Sequence, residues 1–291
     1  MILIQRTVQT VFRDLLESET INIEKLKQHV QKNSIVAELK PFYWKILLGI
    51  KSPYRTTRRY VDEANCDIYK CFHSTLTTCQ IIKTDTSTSQ QFLSMYLLDS
   101  HPTKLSIIST KEYEPFLSIA NFTCAFLDND NEQRLEVTAE CWLMTCKIYD
   151  KFVQLTRHIA LLRYHVSKIA QQEFCHEPKL LLHLNTQNIF VCIPDKWLKD
   201  GFQLITDDIS LLNIWEKFLA GSEYIFVFLT IHILHHCRLK LLSLYANKEI
   251  LQYLNDLKIV DQADCEHIVI ASIASWKKQG GSLLNFPAIH K

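Results

Sequence analysis

Glycine is scarce in this chain: five among 291 residues, beside seven prolines, where average usage would bring roughly twenty and fifteen. These two residues supply the positive φ angles and fixed turns that tight hairpins need. Their shortage argues against a strand-rich sandwich or barrel and leaves an all-α fold as the expectation. Long apolar runs are missing as well. The longest, YIFVFLTIHIL at 224–234, falls short of the roughly twenty residues that cross a bilayer. It is followed by HHCRLK and reads as a buried core helix, so no membrane insertion is expected.

Charge of one sign is not in excess either. Lysine and arginine number 32 against 31 acidic residues, a net charge of +1, which offers no general attraction to nucleic acid or to an anionic surface. None of the sequences GxxxxGK[ST], GxGxxG or GxSxG occurs. The common nucleotide loops and the hydrolase elbow therefore have no candidate, and no cofactor is expected. The ten cysteines contain no C-x-x-C pair, the closest spacings being Cys66/Cys71 and Cys141/Cys146. They read as reduced thiols of a cytoplasmic protein. The stretch MILIQRTVQTVFRDLL has neither a charged n-region nor a small-residue cleavage site, and reads as an amphipathic helix.

What the chain does have is helical spacing. Val8, Val11, Phe12 and Leu15 share one face, and a second helix is expected in ESETINIEKLKQHV. LKPFYWKILLGI at 39–50 is apolar on almost every side, with Pro41 suited to a first turn and Gly49 to a helix end. Trp44 is expected in the core, with Lys45 reaching the surface along its stem. KSPYRTTRRY is a polar connection into a helix at 61–76, and KTDTSTSQQ is a loop that caps the helix QFLSMYLLD. Further helices are expected at 116–127, closed by the acidic DNDNEQ, and in AECWLMTCKIYDKFVQL. Beyond HEPK the signals sharpen: DDISLLNIWEKFLAGS has an aspartate cap, and SEYIFVFLTIHIL a serine cap. Two helical halves are expected, 1–160 and 161–291.

HILHHC places His232 and His236 one turn apart, beside His235 and Cys237, which is metal-ligand spacing. The position where a zinc protease carries its glutamate is Ile233. No metal is expected; His232 reads as buried and the others as neighbours of the helix's negative end. Arg157, His158, Arg163 and His165 read as a solvated basic face.

WKILLGI at 44–50 resembles the opening signature of the TBC domain, the all-helical fold of Rab GTPase-activating proteins, with Lys40 where that signature usually has arginine. IPDKWLKDGFQLITDDISLLNIWEKFLAGSEYIFVFLTIHIL at 193–234 follows the same family's order of tryptophan, apolar helix, tryptophan plus acid, glycine and long apolar helix. Active members insert an arginine from I-x-x-D-x-x-R and a glutamine from Y-x-Q: the arginine neutralises charge on the transferring phosphoryl oxygens and the glutamine orients the attacking water. By this resemblance the first motif falls on Tyr96, Asp99 and Pro102, and the second on Tyr113, Glu114 and Pro115. Proline occupies both working positions, and the nearby Lys104 lacks the planar fork of a guanidinium.

The order and spacing are most similar to the branch of the family that forms the third subunit of the tuberous sclerosis complex. What the resemblance implies is a non-catalytic scaffold that binds the hamartin coiled coil, reaches tuberin indirectly and restrains TOR signalling through Rheb. The alternative is an active Rab-directed enzyme with relocated fingers, for which Arg157 and Gln154 are candidates, so a Rab-family GTPase stays open as a partner. Phe92, Met95, Tyr96 and Asp99 have the spacing of a partner-binding strip on one helix face.

Overall fold

A computed structural model describes residues 2–105, 111–127 and 135–281, with the side chains of 2–9 outside the described set. Among the described residues there are fifteen α-helices. No strand forms among these residues; two isolated bridges, Thr20 with Tyr54 and Ile205 with Ile259, tie loops together. The expected all-α class is borne out. The segment DNDNEQ lies outside the described residues. The chain divides into two compact units, Met1–His29 with Ile35–Lys151, and Val30–Ser34 with Phe152–Lys291.

The first unit opens with α1 (Ile2–Glu17), α2 (Ile23–Lys32, up to His29 in this unit) and α3 (Lys40–Leu47). Pro41 sits in the first turn of α3, where its missing N–H costs nothing. Gly49 closes the helix at φ +70°, so that the Ile50 N–H reaches back to the Lys45 carbonyl at 2.8 Å. Tyr43 and Trp44 are fully buried. Trp44 packs on Phe126 with ring centroids 4.8 Å apart, and the Tyr43 hydroxyl donates to the Phe12 carbonyl. Lys45 departs from expectation: its ammonium lies 2.7 Å from Glu140 Oε2, and its side chain is only 13% exposed. Lys51 joins the same carboxylate at 3.6 Å and Asp62 at 2.7 Å. A partner charge within reach serves a half-buried ammonium better than a long stem toward water.

Next come α4 (Arg58–Thr78), α5 (Thr88–Ser100), α6 (Glu114–Leu127) and α7 (Leu135–Thr156, to Lys151 in this unit). The loop before α5 is shorter than expected, because Ser87 and Gln90 form a reciprocal capping box that starts the helix early. α5 packs against both α4 and α6, which buries six consecutive residues from Phe92 to Leu97.

In the second unit, α12 (Ile225–His236) is the central helix, packed against α8 (Ile159–Glu173) and α15 (Gln262–Lys278). α9 (Pro178–Thr186) and α10 (Asp195–Lys199) precede α11 (Asp208–Leu219), which is capped by the Asp207 carboxylate on the Ser210 N–H at 2.8 Å. Ser222 does not cap α12, because it lies in the turn whose carbonyl accepts from the Ile225 N–H at 3.2 Å. The apolar run ends at His236, and α13 (Arg238–Ser243) and α14 (Asn247–Asp256) are separate pieces.

Two side chains of α11 anchor this unit. The indole N–H of Trp215 donates to the Gly201 carbonyl at 2.8 Å. A Cβ at Gly201 would stand 2.6 Å from Trp215 and 2.8 Å from Phe152, at φ +65°, so only glycine fits. The Lys217 ammonium donates to the carbonyls of Val30 at 2.5 Å and Asn33 at 2.6 Å, and to Glu216 Oε1 at 3.0 Å. It thereby holds residues 30–34 to the unit.

Candidate functional site

The two motif positions singled out by the family resemblance lie at the C-terminal end of α5 and the N-terminal end of α6, both in the first unit. Pro102 opens the 3-10 turn Pro102–Lys104, and Pro115 lies in the first turn of α6. Each proline does local work there, since its fixed φ suits the first residues of a helical turn. Neither offers a hydrogen-bond donor to a ligand. Between the two motifs an ion pair forms: Lys104 Nζ lies 3.1 Å from Glu112 Oε1, and 5.9 Å from the centre of the Tyr113 ring. The Glu112 hydrogen bond holds the Lys104 ammonium above its ordinary pKa. The cation nearest the expected arginine position is thus a lysine in an exposed ion pair.

Behind these residues the Tyr96 hydroxyl donates to Asp150 Oδ1 at 2.9 Å, and the rings of Tyr96, Phe116 and Tyr149 meet with centroids 5.0 to 5.5 Å apart. Burial first, and the Asp150 carboxylate second, push the Tyr96 phenol well above its usual range. Burial and neighbouring Tyr113 bring Tyr149 up to about 12, and burial with Asp150 and Asp99 raises the Cys146 thiol. All three stay neutral at ordinary pH. The wall carries carboxylates at Asp99, Glu112, Glu114 and Asp150, together with the ammonium groups of Lys104 and Lys147.

The expected partner strip is corrected at this point. Phe92 and Met95 are 0% exposed and Tyr96 is 7%, so among the four expected residues only Asp99 presents its side chain to solvent. Helical spacing identifies an apolar face but not what covers it, and here α4 and α6 do. Asp150 and Glu112 were not legible as site residues. The one signal was that Tyr149, beside Asp150, lies on the apolar spacing of α7.

The remaining sequence candidates do not converge. His232 bonds Ser275 at 3.0 Å, His235 lies 2.7 Å from Glu177, and His236 is 3.8 Å from Asp264. No group of ligands able to hold a metal ion forms among the described residues. The basic face on α8 is also revised: Arg163 donates to the Ile193 carbonyl and to Asp195 Oδ1 at 2.7 Å, and His165 bonds the Tyr224 hydroxyl at 2.7 Å. Gln154 and Arg157 are both exposed, one turn apart at the end of α7, with the Arg157 N–H on the Gln154 carbonyl at 3.1 Å. No helix among the described residues is long and apolar enough to cross a membrane.

The architecture is that of a TBC domain. The solved Ypt/Rab-GAP domain of Gyp1p aligns with a TM-score of 0.61, covering 94% of this chain and 98% of that one at 13% sequence identity. In sequence the chain is similar to TBC1 domain family member 7 of Danio rerio, 25% identical over 276 residues, of Bos taurus, 26% over 273, and of Homo sapiens, 25% over 271. Each alignment covers 92% of this chain and 88% of the relative. No family model matches the chain. The family resemblance expected from the two tryptophan-centred motifs is thereby borne out.

Proposed function

We propose that this chain is a non-catalytic TBC-domain subunit that binds the coiled coil of hamartin. In that role it stabilises the hamartin–tuberin complex in the cytoplasm, where the complex restrains TOR signalling through Rheb. The observation that supports the reading is the pair of prolines, Pro102 and Pro115, at the positions that the family resemblance assigns to the arginine and glutamine, each in the first turn of a helical segment. An arginine finger contributes about 10³ to 10⁵ in rate, or roughly 4 to 7 kcal/mol of barrier. Lys104, a point charge without the planar fork of a guanidinium, does not replace it. The similarity to TBC1 domain family member 7 over 92% of the chain supports placing it with that branch of the family.

A second reading, an active Rab-directed enzyme, is favoured by one observation: Gln154 and Arg157 are exposed side by side. One experiment separates the two. The full chain is mixed with a hamartin coiled-coil fragment for co-purification, and separately with a panel of GTP-loaded Rab proteins. Co-purification with no more than a few-fold change in hydrolysis is the expected outcome. Acceleration of about a thousandfold at one Rab, lost in Arg157→Ala, would establish the second reading instead.

A further inference from the structure

The second unit carries a segment, Leu257 to Asp261, that the proposed function does not use. It joins α14 to α15, and both of its end residues have extended backbone angles. One side of its backbone is occupied. The Ile259 N–H donates to the Leu204 carbonyl at 2.8 Å, and the Ile259 carbonyl accepts from the Thr206 N–H at 3.2 Å, which makes the parallel bridge of Ile205 with Ile259. In an extended chain the polar groups of the flanking residues point the opposite way. Among the described residues the backbone groups of Lys258 and Val260 form no hydrogen bond. Side chains alternate to match: Ile259 is 3% exposed and Val260 74%, with Lys258 exposed as well. An extended segment paired on one side only is a template for another chain.

The surroundings are acidic. The two stretches that the bridge brings together, 204–210 and 256–264, hold Asp207, Asp208, Asp256, Asp261 and Asp264 against Lys258. α10, tied to α14 by the Trp197 indole on the Leu254 carbonyl at 3.1 Å, adds Lys196 and Lys199 beside Asp200, so carboxylates still outnumber ammonium groups. Asp207 and Asp261 cap their helices, and Asp264 meets His236 at 3.8 Å. Asp208 and Asp256 are exposed. Burial first, and the Asp207 carboxylate second, hold the Asp208 carboxyl above its ordinary pKa. We propose that residues 257–261 form a docking edge for an extended basic peptide of a partner protein. The peptide pairs its backbone with Lys258 and Val260, rests an apolar side chain on Val260 and sets lysine or arginine among the aspartates.

The test uses the full chain at low salt and a fluorescein-labelled peptide, KVRVK with blocked ends, titrated by fluorescence anisotropy. Saturable binding is expected, and none by EVEVE. Two isomers of KVRVK separate backbone pairing from charge attraction: one methylated on the valine nitrogens, the other on the nitrogens of the arginine and the last lysine. An extended peptide pairs along one edge, so one isomer should bind about tenfold more weakly while the other stays within about twofold of the parent. Asp208→Asn/Asp256→Asn should weaken KVRVK about fivefold, with a thermal melt matching wild type. No saturable binding of KVRVK at millimolar concentration, equal binding of the two methylated isomers, or unchanged affinity in the folded double variant would overturn the assignment.

Discussion

Lys217→Met removes one ammonium from the interior of the second unit while keeping most of the side chain's length. Lys217 is 1% exposed and its neighbour Glu216 0%. The ammonium joins Glu216 at 3.0 Å to the carbonyls of Val30 and Asn33 at 2.5 and 2.6 Å. The substitution therefore takes the cation from a buried carboxylate and a charged donor from two backbone acceptors. Breaking a buried pair by deleting one member costs about 3 to 5 kcal/mol, and about 4 kcal/mol is expected here. Urea unfolding followed by tryptophan fluorescence reads this as a lower midpoint at constant slope. In the double variant Glu216→Gln/Lys217→Met no carboxylate charge remains beside the deleted ammonium, so part of the loss should return, with a coupling of about 1.5 kcal/mol or more. A single-variant loss below about 1 kcal/mol, or strict additivity in the cycle, would refute the account of Lys217 as a paired, buried clamp.

Met95→Asp places an unpaired charge at a fully buried position and should cost about 3 to 5 kcal/mol. Asp99→Arg on the exposed end of α5 should stay within about 0.5 kcal/mol; equal thermal melts for the two variants would contradict the placement of α5. Gly201→Ala forces a Cβ to within 2.6 Å of Trp215 at positive φ and should cost about 2 to 4 kcal/mol by chemical denaturation, whereas a neutral result would mean that the α10–α11 region packs more loosely. Burial pushes the Asp200 carboxyl up from 3.8 to about 7, so its contribution is fully present below about pH 4 and is lost as pH rises through 7. Asp200→Asn should remove that decline, worth at most about 4 kcal/mol, and parallel stability–pH curves for variant and wild type would count against it.

The parts of the fold that sequence conveys are those written at short range. The Asp207 cap was legible because cap chemistry and helix period are local signals. So was the all-round burial of α12, a helix that is apolar throughout. Lys45 was misjudged because its partner, Glu140, lies 95 residues away, and no spacing rule reaches that far. The basic face of α8 failed likewise: Arg163 meets Asp195 across 32 residues and His165 meets Tyr224 across 59. At the candidate site the motif positions were legible through the family pattern. The Lys104–Glu112 pair and the Tyr96–Asp150 bond were not: the first joins residues eight apart outside the α-helices, where no helical period applies, and the second spans 54 residues from α5 to α7.

Residues 30–34 are counted with the second unit although the chain on either side of them is counted with the first. In terms of biosynthesis, this segment emerges early and then waits, since the ammonium that fastens it arrives 187 residues after Val30. Closure of so long a loop makes this a late, slow contact. A nascent chain halted before α11 would hold its segment 30–34 unfastened. A fragment starting at Phe152 would carry Glu216 and Lys217 without the carbonyls that receive the ammonium. The two units are thus not separable by a single cut, and limited proteolysis within 30–34 should loosen the second unit as well as the first.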